Sequence, residues 1–203
     1  MNDLDQVRQE LPLLHPTPRS WAEHAARHLD IFLADHAICE QQAALFGLSL
    51  VGHYPDDLEL VEKMSALAAE EVAHLRRVTT LLGKRGLHPA KKRSNPWVQG
   101  LRRAIETDRE DVLKVDRLLV GALIEARSCE RFTCLLEVLE EKDQEVALLL
   151  RDLGPAEQRH WRMFFGLAQR ELPSETLESR WRRWLELERD LSARGGTEPR
   201  VHG

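Results

Sequence analysis

The chain has 203 residues, 42% hydrophobic and 31% charged, enough apolar material for a sizeable core, which excludes disorder along its whole length. Acidic residues outnumber basic ones 34 to 29, a formal charge of −5, so the average charge gives no reason to expect a polyanionic partner. Three cysteines, Cys39, Cys129 and Cys134, form no CxxC pair and cannot all pair with one another; this disfavours a disulfide framework and a structural zinc site and points to a reducing cytoplasm.

The opening MNDLDQVRQELPLLHP lacks a basic start followed by an apolar run, so it does not read as a secretory signal. No stretch approaches about 18 uninterrupted apolar residues, and no membrane span is expected. Gly and Pro cluster at a few breaks between stretches rich in Leu, Ala, Glu and Arg, which makes the chain all-α. Ser20 and Glu23 match a capping box opening a helix over about 20–51. Asp56 or Asp57 caps a second, about 57–83, ended by Gly83 and Gly86. A connection without period follows, and Pro96 opens a short helix to about Ile105. A third long helix runs from Asp108 or Asp111 to about Glu141 and a fourth from about Asp143 to Leu172, kinked or split at Gly154-Pro155. Ser174 caps a last helix over about 175–193, on whose inner stripe Glu188 falls and weakens it. Residues 195–203 read as a flexible tail.

Two segments share one arrangement: Glu71-Val-Ala-His74 in the second helix and Glu157-Gln-Arg-His160 in the fourth. Glu and His at i and i+3 lie on one helical face, where both reach a single metal ion. One such pair arises readily by chance; two, each with a partner at matched distance, do not. Glu40 lies 31 residues before Glu71, and Glu125 lies 32 before Glu157. At ~1.5 Å per residue all four carboxylates fall ~20 Å from the turn of their own antiparallel hairpin. This is the ligand pattern of ferritin-like di-iron bundles, in which two helices each give a Glu and two give Glu-x-x-His. Glu130 breaks the spacing and Glu70 is not three residues from His74, so both stay outside the ligand set. Four carboxylates and two imidazoles suit iron or manganese better than copper. The expected architecture is a single domain over 1–194: a ferritin-like four-helix bundle over about 20–172 with an additional short crossover helix and a C-terminal helix.

These six residues, with the stretch Ile124-Glu-Ala-Arg-Ser-Cys-Glu-Arg-Phe132, resemble the MiaE-type tRNA hydroxylases, ferritin-like non-haem di-iron monooxygenases, over residues 20–172. The resemblance implies two iron ions, dioxygen as co-substrate and an external electron donor. It also implies hydroxylation of the isopentenyl group of 2-methylthio-N6-isopentenyladenosine in tRNA, with tRNA and an electron-transfer protein as partners. A tRNA substrate redirects attention to local charge: Lys84 to Ile105 holds seven basic residues and no acidic one. Lys91, Lys92, Arg93, Arg102 and Arg103 are expected to hold phosphates, and Trp97 to stack on an unpaired base. The cluster Arg180, Arg182 and Arg183 reads as the outer face of an ordinary amphipathic helix.

Relatives with the same bundle fit less well. A ribonucleotide reductase radical subunit wants a tyrosine beside the metals, and the one tyrosine, Tyr54, falls in a turn ~20 Å away. A rubrerythrin wants a CxxC iron site. Demethoxyubiquinone hydroxylase wants an apolar membrane-facing surface, against a mean hydropathy of −0.43. Iron storage needs a self-assembling shell, and a purely structural helical protein would bind no iron.

Overall fold

The computed structural model describes residues 3–91, 95–139, 143–195 and 198–202. Among them are eight helices and no strand. They divide into two compact units: one of residues 27–94 with 199–201, the other of residues 1–26 and 95–198 with the C-terminal 202–203.

The first of these, the α3–α4 unit, is a helical hairpin of α3 (Leu29–His53) and α4 (Leu58–Lys84). Asp57 caps α4 by accepting from the Leu60 amide at 3.1 Å, and the chain leaves α4 through Gly86, whose φ of +67° only glycine adopts freely. Phe32, Leu33, Leu50, Leu60, Met64, Val78 and Leu82 fill its core; each contributes about 1.5–3 kcal/mol by burial. The helices pack tightly at Gly47, where a Cβ would stand 3.1 Å from the Met64 carbonyl oxygen. Val201 is buried in this unit, its amide donating to Asp35 Oδ2 at 3.0 Å.

The second, the α6–α7 unit, is built on α6 (Glu110–Leu139) and α7 (Gln144–Gln169), with α1 (Asp3–Glu10), α2 (Arg19–Arg27, to Ala26), α5 (Pro96–Arg103) and α8 (Ser174–Arg194) around them. Asp143 caps α7 through the Val146 amide, and Asn95 caps α5 through the Val98 amide with Pro96 in the first turn. Helix α6 is buried on every side, and its polar residues are therefore paired. Arg127 donates to Glu188 of α8 at 2.7 and 2.9 Å and to Glu130 at 2.8 Å. Asp116 accepts from Arg180 at 2.5 and 2.6 Å and from the Trp184 indole at 2.8 Å.

Several expectations shift. The first long helix is broken at His28, whose ψ of 50° interrupts the helical path, and α2 begins at Arg19, which puts Ser20 inside the first turn instead of at the cap. Helix α7 passes through Gly154-Pro155 as one helix. Pro173, not Ser174, occupies the cap of α8. Helix α1, which the sequence did not announce, is tied to α6 by Arg8, bonded to Cys134 Sγ at 2.9 Å and to Glu137 at 2.8 Å. Glu188 does not weaken α8: it is fully buried and joins that helix to α6. Of the tail expected at 195–203, residues 196, 197 and 203 lie outside the described residues, and residues 198–202 are not frayed: His202 is buried, bonds Ser128 at 3.0 Å and stacks on Trp97 at 4.9 Å.

Candidate metal centre

In the α3–α4 unit, Glu40 sits on α3 and Glu71 and His74 one turn apart on α4; all three are buried, and each offers a ligand atom within 4.8 Å of the others. His74 Nδ1 lies 3.5 Å from Glu40 Oε2 and 3.4 Å from Glu71 Oε2. Four residues before Glu40, the buried His36 holds the other carboxylate oxygen through Nε2 at 2.5 Å. Burial, then the adjacent Glu71, pushes the Glu40 carboxyl well above its usual range. Burial would lower the His74 imidazole, but the carboxylates of Glu40 and Glu71 outweigh it and raise it to about 9. Glu70 stays at the margin, 3.9 Å from His74 Nε2 and partly exposed.

The α6–α7 unit repeats the arrangement. Glu125 of α6 and Glu157 and His160 of α7 are buried, with ligand atoms within 4.8 Å of one another, and His160 Nδ1 lies 3.8 Å from Glu125 Oε2. Pro155 does not displace Glu157, because the helix continues through it. The position equivalent to His36 is Gly121, where the Phe164 ring would lie 2.9 Å from a Cβ, so this half has no matching second imidazole. Nothing in the ligand spacing announces His36 as the group that orients Glu40; its signal is the i to i+4 step on a buried face.

Each half thus buries two carboxylates and one imidazole against each other, an arrangement costly for bare charges and suited to a divalent cation. Glu130 is occupied elsewhere, accepting from the Thr17 amide at 2.6 Å, from its hydroxyl, and from Arg127. Cys129 is no competitor as a ligand, because burial, with Glu130 nearby, pushes its thiol up to about 12.

The residues expected to bind tRNA divide. Lys91, Arg102 and Arg103 are exposed, and Lys92 and Arg93 lie outside the described residues. Trp97 is not available for stacking on a base: it is buried, its ring lies on His202, and its indole N–H donates to Glu188 at 3.2 Å and Ser192 at 3.1 Å.

A family model described as tRNA-(MS[2]IO[6]A)-hydroxylase (MiaE) matches residues 5–203. A tRNA 2-(methylsulfanyl)-N(6)-isopentenyladenosine(37) hydroxylase of Pseudomonas putida is 40% identical over 153 residues, covering 75% of this chain and 73% of that protein. Its namesake from Salmonella typhimurium is 30% identical over an alignment of 243 residues, 95% of this chain and 88% of the relative. Among solved structures, Protein 43 with aldehyde deformylating oxygenase activity from Synechococcus superposes with a TM-score of 0.86 at 31% identity, covering 94% of this chain and 95% of that one. The fold is all-α and ferritin-like. With the match running almost from end to end and two buried Glu/Glu-x-x-His half-sites in place, the chain belongs to the MiaE family of tRNA hydroxylases.

Proposed function

We propose that this protein hydroxylates the isopentenyl group of 2-methylthio-N6-isopentenyladenosine in tRNA, using two iron ions, dioxygen and an external electron donor. The observation that carries the reading is the pair of buried half-sites, Glu40/Glu71/His74 and Glu125/Glu157/His160. These six residues are the ones that would hold the two iron ions. Four glutamates bring −4 against +4 from two ferrous ions, so the donor set and the metal charge balance. Bound there, a ferrous pair would supply the dioxygen activation that hydroxylation of a C–H bond demands. One oxygen atom enters the substrate C–H bond, and two electrons and two protons reduce the other to water.

The chain's own residues set the conditions. His36 holds an oxygen of Glu40, burial keeps bulk water from the ligands, and the imidazoles of His74 and His160 would complete each half as metal ligands. The exposed Lys91, Arg102 and Arg103, with Lys92 and Arg93, provide cations for phosphates. Among the described residues no helix is long and apolar enough to cross a membrane, and the reading implies a cytoplasmic enzyme acting on a polar macromolecule. The test is nucleoside analysis of tRNA incubated with iron-loaded protein, dioxygen and a reductant. A hydroxylated isopentenyladenosine is expected; unchanged tRNA with full iron occupancy overturns the assignment.

A further inference from the structure

The α6–α7 unit holds a cleft of about 730 Å³, inside the ~300–1,000 Å³ range of small-molecule sites. Its inner wall is made by Cys129, Phe132 and Leu136 of α6 and by Leu150 and Gly154 of α7. The four side chains are buried and apolar, so this part of the wall is preformed; Thr133, Gln158 and Glu137, the last ion-paired with Arg8 at 2.8 Å, line the rest. Arg19 and Arg151, both exposed, belong to the same lining.

The wall of the cleft starts about one helical turn from Glu125 and Glu157, which do not themselves line it. Cys129 stands one helical turn after Glu125, and Gly154 three residues before Glu157; the Cys129 thiol donates to the Gly154 carbonyl at 3.5 Å, linking α6 and α7 there. From there the wall runs along α6 to Leu136, ~10 Å at 1.5 Å per residue, away from Glu125.

The geometry points to this cleft as the pocket for the prenylated adenine, with the isopentenyl chain at the Cys129–Gly154 end and the neighbouring phosphates at Arg19 and Arg151. The assignment rests on the tRNA-hydroxylase reading above. An isopentenyl group has five carbons and no hydrogen-bonding atom, so it is bound only by burial, at about 0.8 kcal/mol per methylene. An unmodified adenosine leaves the apolar end unfilled, and the cleft therefore distinguishes the modified base from the plain one. The arginines act on the backbone of either alike.

Gly154 provides the test, because it lines the cleft and a Cβ built there meets nothing within 4 Å, so Gly154→Leu adds apolar bulk at the lining from a position with open space. Gly166, also open and on the same helix but not part of the cleft, supplies Gly166→Leu as control. The probes are two anticodon stem–loops, one carrying 2-methylthio-N6-isopentenyladenosine and one carrying adenosine, titrated without oxygen into iron-loaded protein. Wild type and Gly166→Leu should prefer the modified loop by at least about tenfold. Gly154→Leu should lose that preference while its affinity for the plain loop and its iron content stay unchanged. If wild type hydroxylates tRNA and Gly154→Leu keeps the preference, the cleft assignment falls alone. If wild type neither hydroxylates nor discriminates, the tRNA reading falls and the cleft assignment with it. Photo-cross-linking of wild type to a stem–loop bearing an azido-adenine gives a check independent of how the variant folds: label within 129–136 and 150–158 supports the pocket, and label confined elsewhere overturns it.

Discussion

His74 shows what a single residue reveals about a metal site. Its imidazole is held between the carboxylates of Glu40 and Glu71, which raise it from 6.5 to about 9, so in the metal-free protein at neutral pH it is protonated. A metal ion takes only the neutral ring, and its arrival must expel that proton. The Glu40 carboxyl, also raised by burial and by Glu71, competes for protons more strongly than a free carboxyl does. Uptake of ferrous ion, or of cobaltous ion as a redox-inert stand-in, should therefore release protons measurable in weakly buffered solution, and affinity should rise with pH until about 9, where the imidazole is already neutral. Both shifts have the same sign for folding: the native state holds protons that the unfolded chain has lost. The imidazole's contribution to metal-free stability is thus complete below 6.5 and lost as pH rises through about 9. Calorimetry in buffers of different ionisation enthalpy reads the proton count, and a count of zero at pH 7 would sink this account of the half-site.

At the scale of the element, α8 is attached to α6 by charge as much as by apolar contact. Glu188 and Arg127 are both buried and bonded by two oxygens and two guanidinium nitrogens, with Trp97 and Ser192 on the same carboxylate. Removing one partner strands the other: Glu188→Ala leaves a guanidinium in the interior and should cost about 3–5 kcal/mol in a denaturant titration, whereas exchanging both for apolar residues should cost far less. If the single substitution proved neutral, the network would not be what holds α8. Here sequence patterning misleads, because a charged residue on an inner stripe looks like a defect until its partner, 61 positions away, is known. Trp97 fails for the same reason: among arginines and lysines its sequence is that of a nucleic-acid contact, and only the long-range partner His202 shows it to be core. The cap at Asp57 and the start of α7 at Asp143 were legible because a cap is a bond to an amide three residues on. The clustering of the six candidate ligands was legible because helical period converts spacing into a shared face and the two halves repeat one another. The break at His28 and the docking of α1 carry no such local signal.

For the molecule as a whole, the formal charge of −5 includes four carboxylates, Glu40, Glu71, Glu125 and Glu157, each no more than 4% exposed. Burying them without a counter-ion works against folding, so the metal-free protein should be the less stable form. A metal present at 100 times its dissociation constant adds about 2.7 kcal/mol per site, and for a chain of this size each kcal/mol moves Tm by roughly 2–4 °C. Chelation should accordingly lower Tm by roughly 5–10 °C for each ion removed. Nonspecific stabilisation by iron is separated from this by Glu40→Gln. That substitution removes a like charge next to Glu71 while retaining a polar group for His36, so the metal-free variant should melt above metal-free wild type. The same change removes a ligand, so the variant should gain less from iron than wild type does. Opposite signs in the two states are the signature of residues kept for chemistry at the expense of folding; a variant that lost stability in both states would mean that Glu40 serves the core and not the metal.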